Sequence, residues 1–121
     1  MTINLVDLIR IAQLPIDEVV AIRHTFNKKE TSDIWDKNDR TNFEVYQSIQ
    51  PSEDFFKNKK YVLSFIADGK TYSRFVGCYE IVDHYPADQA KRVLSFNHQD
   101  FYEQMGDIYF EMKLTDYMSD L

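Results

Sequence analysis

The chain has a single cysteine, Cys78, so no internal disulfide can form. That composition fits a reducing compartment. Glycine and proline are scarce, three of each in 121 residues, which leaves little room for flexible linkers. The glycines are Gly69, Gly77 and Gly106, so no phosphate-cradling glycine loop is present. No apolar run approaches the length of a membrane span. The N-terminus lacks the basic region, apolar stretch and small-residue cleavage site of a secretory signal. The three histidines, His24, His84 and His98, do not fall at metal-ligand spacing with one another or with Cys78, so neither a zinc site nor a cofactor is expected. There is also no G-x-S-x-G elbow and no zincin helix. The carboxylates that cluster, such as Glu53-Asp54, lie in polar stretches and are read as solvated. No catalytic residue is assigned, and the chain is expected not to be an enzyme.

Positive charge is also short. The net charge is -6, which argues against a generic nucleic-acid binder. The excess is local. From Asp100 onward there are six acids and one base, a net of -5. Residues 1–99 hold 14 acids and 13 bases and are close to neutral, so a basic face can exist there. Lys57, Lys59 and Lys60 are the densest basic group, best explained as a solvated loop before a strand.

What is abundant is apolar and aromatic: 44% hydrophobic residues and 15% aromatic ones. That supports one folded domain over residues 1–121 with its own core. Leu5, Leu8, Ile9 and Ala12 lie on one helical face after a candidate N-cap at Asn4, and the helix ends before Pro15. Asp17 to Thr25 is rich in β-branched residues and reads as a strand. A short helix is expected around Ser32 to Lys37. Thr41 and Glu44 form a T-x-x-E capping box for a following helix that Pro51 terminates. Phe43, Tyr46, Gln47 and Gln50 fall on one stripe of that helix. Either the two aromatics pack while the amides lie at the margin, or the stripe faces a ligand.

The hairpin Tyr61–Ala67 and Lys70–Asp83, turning at Asp68-Gly69, is the clearest element. A two-residue turn would set Phe65 opposite Tyr72 and Leu63 opposite Arg74. Both faces are partly apolar, so both should be covered, and Gly77 inside the second strand suggests a bulge or bend. Cys78 reads as a small core residue in this strand. Pro86 is expected to open a short helix, Asp100 and Glu103 to cap another, and Gly106 to stop it. Ile108 to Leu114 alternates and reads as a final strand with one wet face, while Asp116 to Leu121 shows no anchor. The fold class is α+β: a small mixed, mostly antiparallel sheet or partial barrel with flanking helices.

Arg23-His24 at a strand end, the Tyr46-Gln47-Gln50 stripe and the hairpin aromatics include the residue types that contact nucleic acid. Aromatic faces stack bases, amides read base edges, and arginine contacts phosphate or guanine. The competing explanation is an aromatic-rich core with Arg23 and His24 in structural hydrogen bonds.

The order of these pieces resembles the N-terminal domain of bacterial GIY-YIG nuclease family proteins. The residues that carry the resemblance are Leu5-Val6-Asp7-Leu8, Val20 to His24, Phe43 to Gln47 with Gln50, Tyr61 to Ile66, and Arg74 to Ile81. The resemblance implies a PUA-like fold that recognises nucleic acid, DNA or RNA, with a modified base as one class of target. It implies ligand-binding roles for Arg23, His24, Tyr46, Gln47, Gln50, Phe75 and Tyr79, with Gly77 framing the site. It also implies a cytoplasmic protein with no membrane contact, and a GIY-YIG nuclease domain as partner in a longer chain. No GIY or YIG element occurs in these 121 residues, so nuclease activity is not expected of them. The rival expectation is a protein-interaction or dimerisation domain that uses the acidic C-terminal segment and an exposed sheet edge.

Overall fold

The computed structural model describes residues 5–24, 40–68, 72–86, 89 and 108–119. The expected helix at Ser32 to Lys37 and the caps at Asn4, Asp100, Glu103 and Gly106 lie outside them. The fold is mixed α+β. Helix α1 (Leu5–Ile11) leads through a 3-10 turn (Ile16–Glu18) into strand β1 (Val19–His24). Helix α2 (Thr41–Ser48) runs directly into the two-residue strand β2 (Ile49–Gln50). Strands β3 (Tyr61–Asp68), β4 (Tyr72–Pro86) and β5 (Ile108–Leu114) follow. The sheet order is β1-β3-β4-β5-β2, with β1 parallel to β3 and antiparallel pairing in β3–β4 and β2–β5. Strand β5 has β4 on one side and, at Ile108 and Tyr109, the short β2 on the other. The chain divides into two compact units: residues 1–25, 58–81 and 113–121, and residues 26–57 and 82–112.

In the first unit, α1 follows from its apolar spacing. Asp7 in its first turn and Arg10 in its last suit the helix dipole. Its C-terminus closes as a Schellman motif. The Leu14 N–H donates to the Ile9 carbonyl at 3.2 Å and the Gln13 N–H to the Arg10 carbonyl at 3.0 Å. Gln13 takes the left-handed position at φ 60°. Ile9 and Leu14 are both in the core cluster, which supplies the apolar contact usual for this motif. A Cβ is unfavourable in that conformation, so Gln13→Gly should stabilise the protein by about 0.5–1 kcal/mol, read as a rise in Tm. A fall in Tm would refute it.

The core of this unit joins Ile9, Leu14, Val19, Tyr61, Leu63 and Cys78, with Leu5, Ala12, Phe65, Phe75 and Met118 packed against it. Cys78 is fully buried, and burial pushes its thiol pKa up, as expected of a core residue. The hairpin register differs from the expectation. Asp68 pairs with Tyr72 and Phe65 with Phe75, not with Tyr72 as a two-residue turn would set it. Beyond Phe65 the register shifts: Ser64 pairs with Gly77 and Leu63 with Cys78. Val76 is therefore the extra residue of a bulge next to Gly77, as the glycine suggested. Both faces of β3 are covered, since Val62, Leu63 and Ser64 are all 0% exposed.

The C-terminal segment is anchored, contrary to expectation. The Thr115 N–H and hydroxyl both donate to the Cys78 carbonyl, at 2.9 and 2.8 Å. Tyr117 then meets the Tyr61 ring edge-on at 5.9 Å.

In the second unit, Phe43, Val45, Ile49, Phe56 and Phe110 are buried. Phe56 meets Phe110 edge-on at 4.8 Å, and Phe55 meets Phe56 at 4.7 Å. Helix α2 starts one residue earlier than the capping box required. Arg40 is the N-cap and its carbonyl accepts from the Glu44 N–H at 2.9 Å. Pro86 closes β4, a strand-end position that tolerates its missing N–H, and Gln89, the one described residue of the helix expected after it, is helical.

Candidate nucleic-acid interface

The seven sequence candidates divide between the two units. Arg23, His24, Phe75 and Tyr79 belong to the first; Tyr46, Gln47 and Gln50 belong to the second.

In the first unit, strand alternation sorts the residues by face. Arg23 pairs with Phe65 across β1–β3, and Phe65 pairs with Phe75 across β3–β4. The three therefore form one row on the face that α1 covers at its other end. The Arg23 guanidinium is exposed, and its Nε donates to the Ser73 hydroxyl at 2.8 Å. Phe65 and Phe75 are half-buried, with ring centroids 5.4 Å apart and planes tilted by 59°. This end of the sheet thus joins a cation, a hydroxyl and two partly accessible rings.

His24 and Tyr79 point to the opposite face. His24 pairs with Ile66, and Val62 with Tyr79. His24, Ser64 and Tyr79 are 8%, 0% and 1% exposed, and lie on a diagonal across three strands beside Gly77. Arg23 and His24, adjacent in sequence, therefore do not share a site. Burial of the His24 row fits structural hydrogen bonding better than contact with a ligand from solvent.

In the second unit, the expected helical stripe breaks after Gln47. Gln50 lies in β2, and its side-chain amide donates to the Gln47 carbonyl at 2.7 Å. Gln47 is fully buried, and its amide donates to the Met112 Sδ at 3.5 Å. An amide so placed is shielded from solvent and packs within its unit. Gln47→Ala should lower stability by about 1–3 kcal/mol, the usual range for disrupting a buried polar contact, and leave ligand affinity unchanged. Thermal melts and binding titrations on one preparation would check both halves. Lost affinity with an unchanged Tm would favour the ligand-binding role the resemblance implied.

Tyr46 is half-buried, and burial raises its phenol pKa. Tyr109 is raised by burial and by the neighbouring Tyr85 and carboxylates, partly offset by a hydrogen bond with Ser48. Tyr85, which lies 5.4 Å from Tyr109 ring to ring, is raised by burial and by Glu111 and Asp83. A raised phenol pKa favours the protonated folded state. Its stabilisation is fully present below the unfolded tyrosine value of 10.0 and is lost as pH climbs through the folded values. The raised Cys78 thiol starts the same loss from 9.0. Stability should therefore fall on the alkaline side from about pH 9 upward, with tyrosinate absorbance lagging that of a free tyrosine. Constant stability through pH 11 would contradict this.

Sequence reasoning missed Ser73 and Phe65 as partners of Arg23. The Asp-Gly signal suggested a two-residue turn, and that register placed Phe65 opposite Tyr72. The three-residue alternative, with Gly69 in the loop, was the signal that could have found them. The lysine group is partly engaged by the chain itself. Lys59 Nζ donates to the Asp17 carbonyl at 2.9 Å, and Lys60 Nζ lies 5.6 Å from the Tyr61 ring centroid. Among the described residues, no group of three or more His, Cys, Asp and Glu side chains could hold a metal ion. No described helix is long and apolar enough to cross a membrane.

No family model, curated protein or solved structure significantly matches the chain.

Proposed function

We propose that this chain is a non-catalytic recognition module for nucleic acid. The observation that carries the reading is the row Arg23–Phe65–Phe75 with Ser73 on the same face. An exposed guanidinium supplies phosphate contact, and partly accessible rings beside it supply base contact. The chain's negative net charge does not oppose this, because its acidic excess lies from Asp100 onward, while the row lies in the near-neutral body. On the resemblance noted above, the module accompanies a GIY-YIG nuclease domain in the bacterial cytoplasm and brings it to its substrate.

Fluorescence anisotropy with labelled DNA and RNA oligonucleotides at low salt tests the proposal. Binding should weaken steadily as salt rises. Arg23→Ala should weaken it further and flatten the salt dependence by about one phosphate contact. Absence of binding to every oligonucleotide at low salt would sink the reading.

A further inference from the structure

We infer that the row is a notch for one unpaired base, which makes the module selective for single-stranded over fully paired nucleic acid. The inference rests on the recognition reading above and narrows its target. Two rings tilted by 59° cannot both lie flat on the same base. One ring can stack on it while the other meets it edge-on, a pairing that the aromatic quadrupole favours. The notch therefore takes a single base.

A base inside a duplex has both faces occupied by its neighbours. Such a base can reach Phe65 or Phe75 only after leaving the stack, which costs a few kcal/mol when it is paired and least when it is already unpaired. The charge placement agrees. Arg23 stands one strand away from Phe65, a spacing of about 5 Å, and the Ser73 hydroxyl holds its guanidinium through Nε. On the same face, the acid Glu80 stands at the far end of the hairpin, opposite Tyr61. The phosphate side of a bound nucleotide thus meets a cation held by Ser73, with Glu80 at the other end of the hairpin. On the opposite face at this register His24 and Ile66 are buried, and the exposed Arg74 has no partly accessible ring beside it in its row.

The test uses the full chain and three labelled probes of one sequence: single-stranded, fully paired, and paired with one central unpaired base. Phe75→Leu keeps an apolar side chain against the α1 cluster but removes the ring, and a thermal melt shows whether the variant is folded. The expected result is at least tenfold preference for the single strand over the full duplex, with the one-base bulge in between. Phe75→Leu should cost the single strand about tenfold and the full duplex little, in line with the loss of one stacked base. Phe65→Leu provides a second folded variant with the same expectation. Equal affinity for single strand and duplex, or folded leucine variants that bind the single strand as wild type does, would overturn the notch and leave the recognition reading standing. No binding of any probe would overturn both.

Discussion

Phe43→Ala is expected to destabilise the protein by about 3–5 kcal/mol, the usual cost of emptying a large aromatic site in a core. The phenyl ring is 0% exposed on α2, in the unit where Val45, Ile49, Phe56 and Phe110 are also buried. A small domain holds about 5–15 kcal/mol in total, so the variant should sit close to unfolding at ambient temperature. Helix propensity does not offset the loss, since alanine gains only a few tenths of a kcal/mol over phenylalanine. Urea titration should show a lower midpoint at an unchanged slope, the signature of lost stability without a change in the surface exposed. Lys57→Ala, at an exposed position in the same unit, should move the midpoint by less than about 0.5 kcal/mol. A loss below about 1 kcal/mol for Phe43→Ala would mean that α2 does not carry its unit's core.

How much of this was legible depended on whether a signal was local. Helix α1 and strand β5 follow from periodicity alone, because each buries one face and its neighbours in sequence define that face. The span Ile108–Leu114 was recovered to the residue. Strand β2 was missed because Ile49 and Gln50 continue the helical spacing of Phe43 and Tyr46. Only pairing with β5, Ile49 to Tyr109, makes them a strand. The anchor of the last segment was missed for a similar reason. Thr115 reaches a carbonyl 37 residues away, and Tyr117 meets a ring from β3, so neither contact leaves a pattern in the local sequence.

The candidate site was half legible. Arg23 and Phe75 do share a face, but the residue between them, Phe65, was assigned another partner. His24 and Tyr79 carried suitable chemistry and turned out to lie on the opposite face. Gln47 looked like a reader of bases because two amides sharing a helical face with two aromatics are unusual for a core stripe, yet its burial is complete. In each instance the residue type was informative and its direction was not. Direction depends on register, and a bulge beside Gly77 changes register in the middle of a strand.

Leu63→Ala, in the other unit, is the second large loss, about 2–5 kcal/mol. Leu63 is fully buried in the cluster with Ile9, Leu14, Val19, Tyr61 and Cys78, on the face that α1 covers. Its neighbour Val62 is equally buried but points to the other face of the sheet. That pair of adjacent residues decides whether β3 is covered on one side or on both. With one covered face, Val62→Ala would behave as a surface change and cost within about 0.5 kcal/mol. With two, it should cost the transfer free energy of the lost methyls plus part of a cavity, about 1–3 kcal/mol, and remain smaller than Leu63→Ala. At about 4 °C in Tm per kcal/mol for a chain of this size, the two alternatives for Val62 are separable in a thermal melt. A near-neutral Val62→Ala beside a costly Leu63→Ala would show that only the α1 side of the hairpin is packed. The buried diagonal of His24, Ser64 and Tyr79 would then be open to solvent, and a ligand role for it would have to be reconsidered.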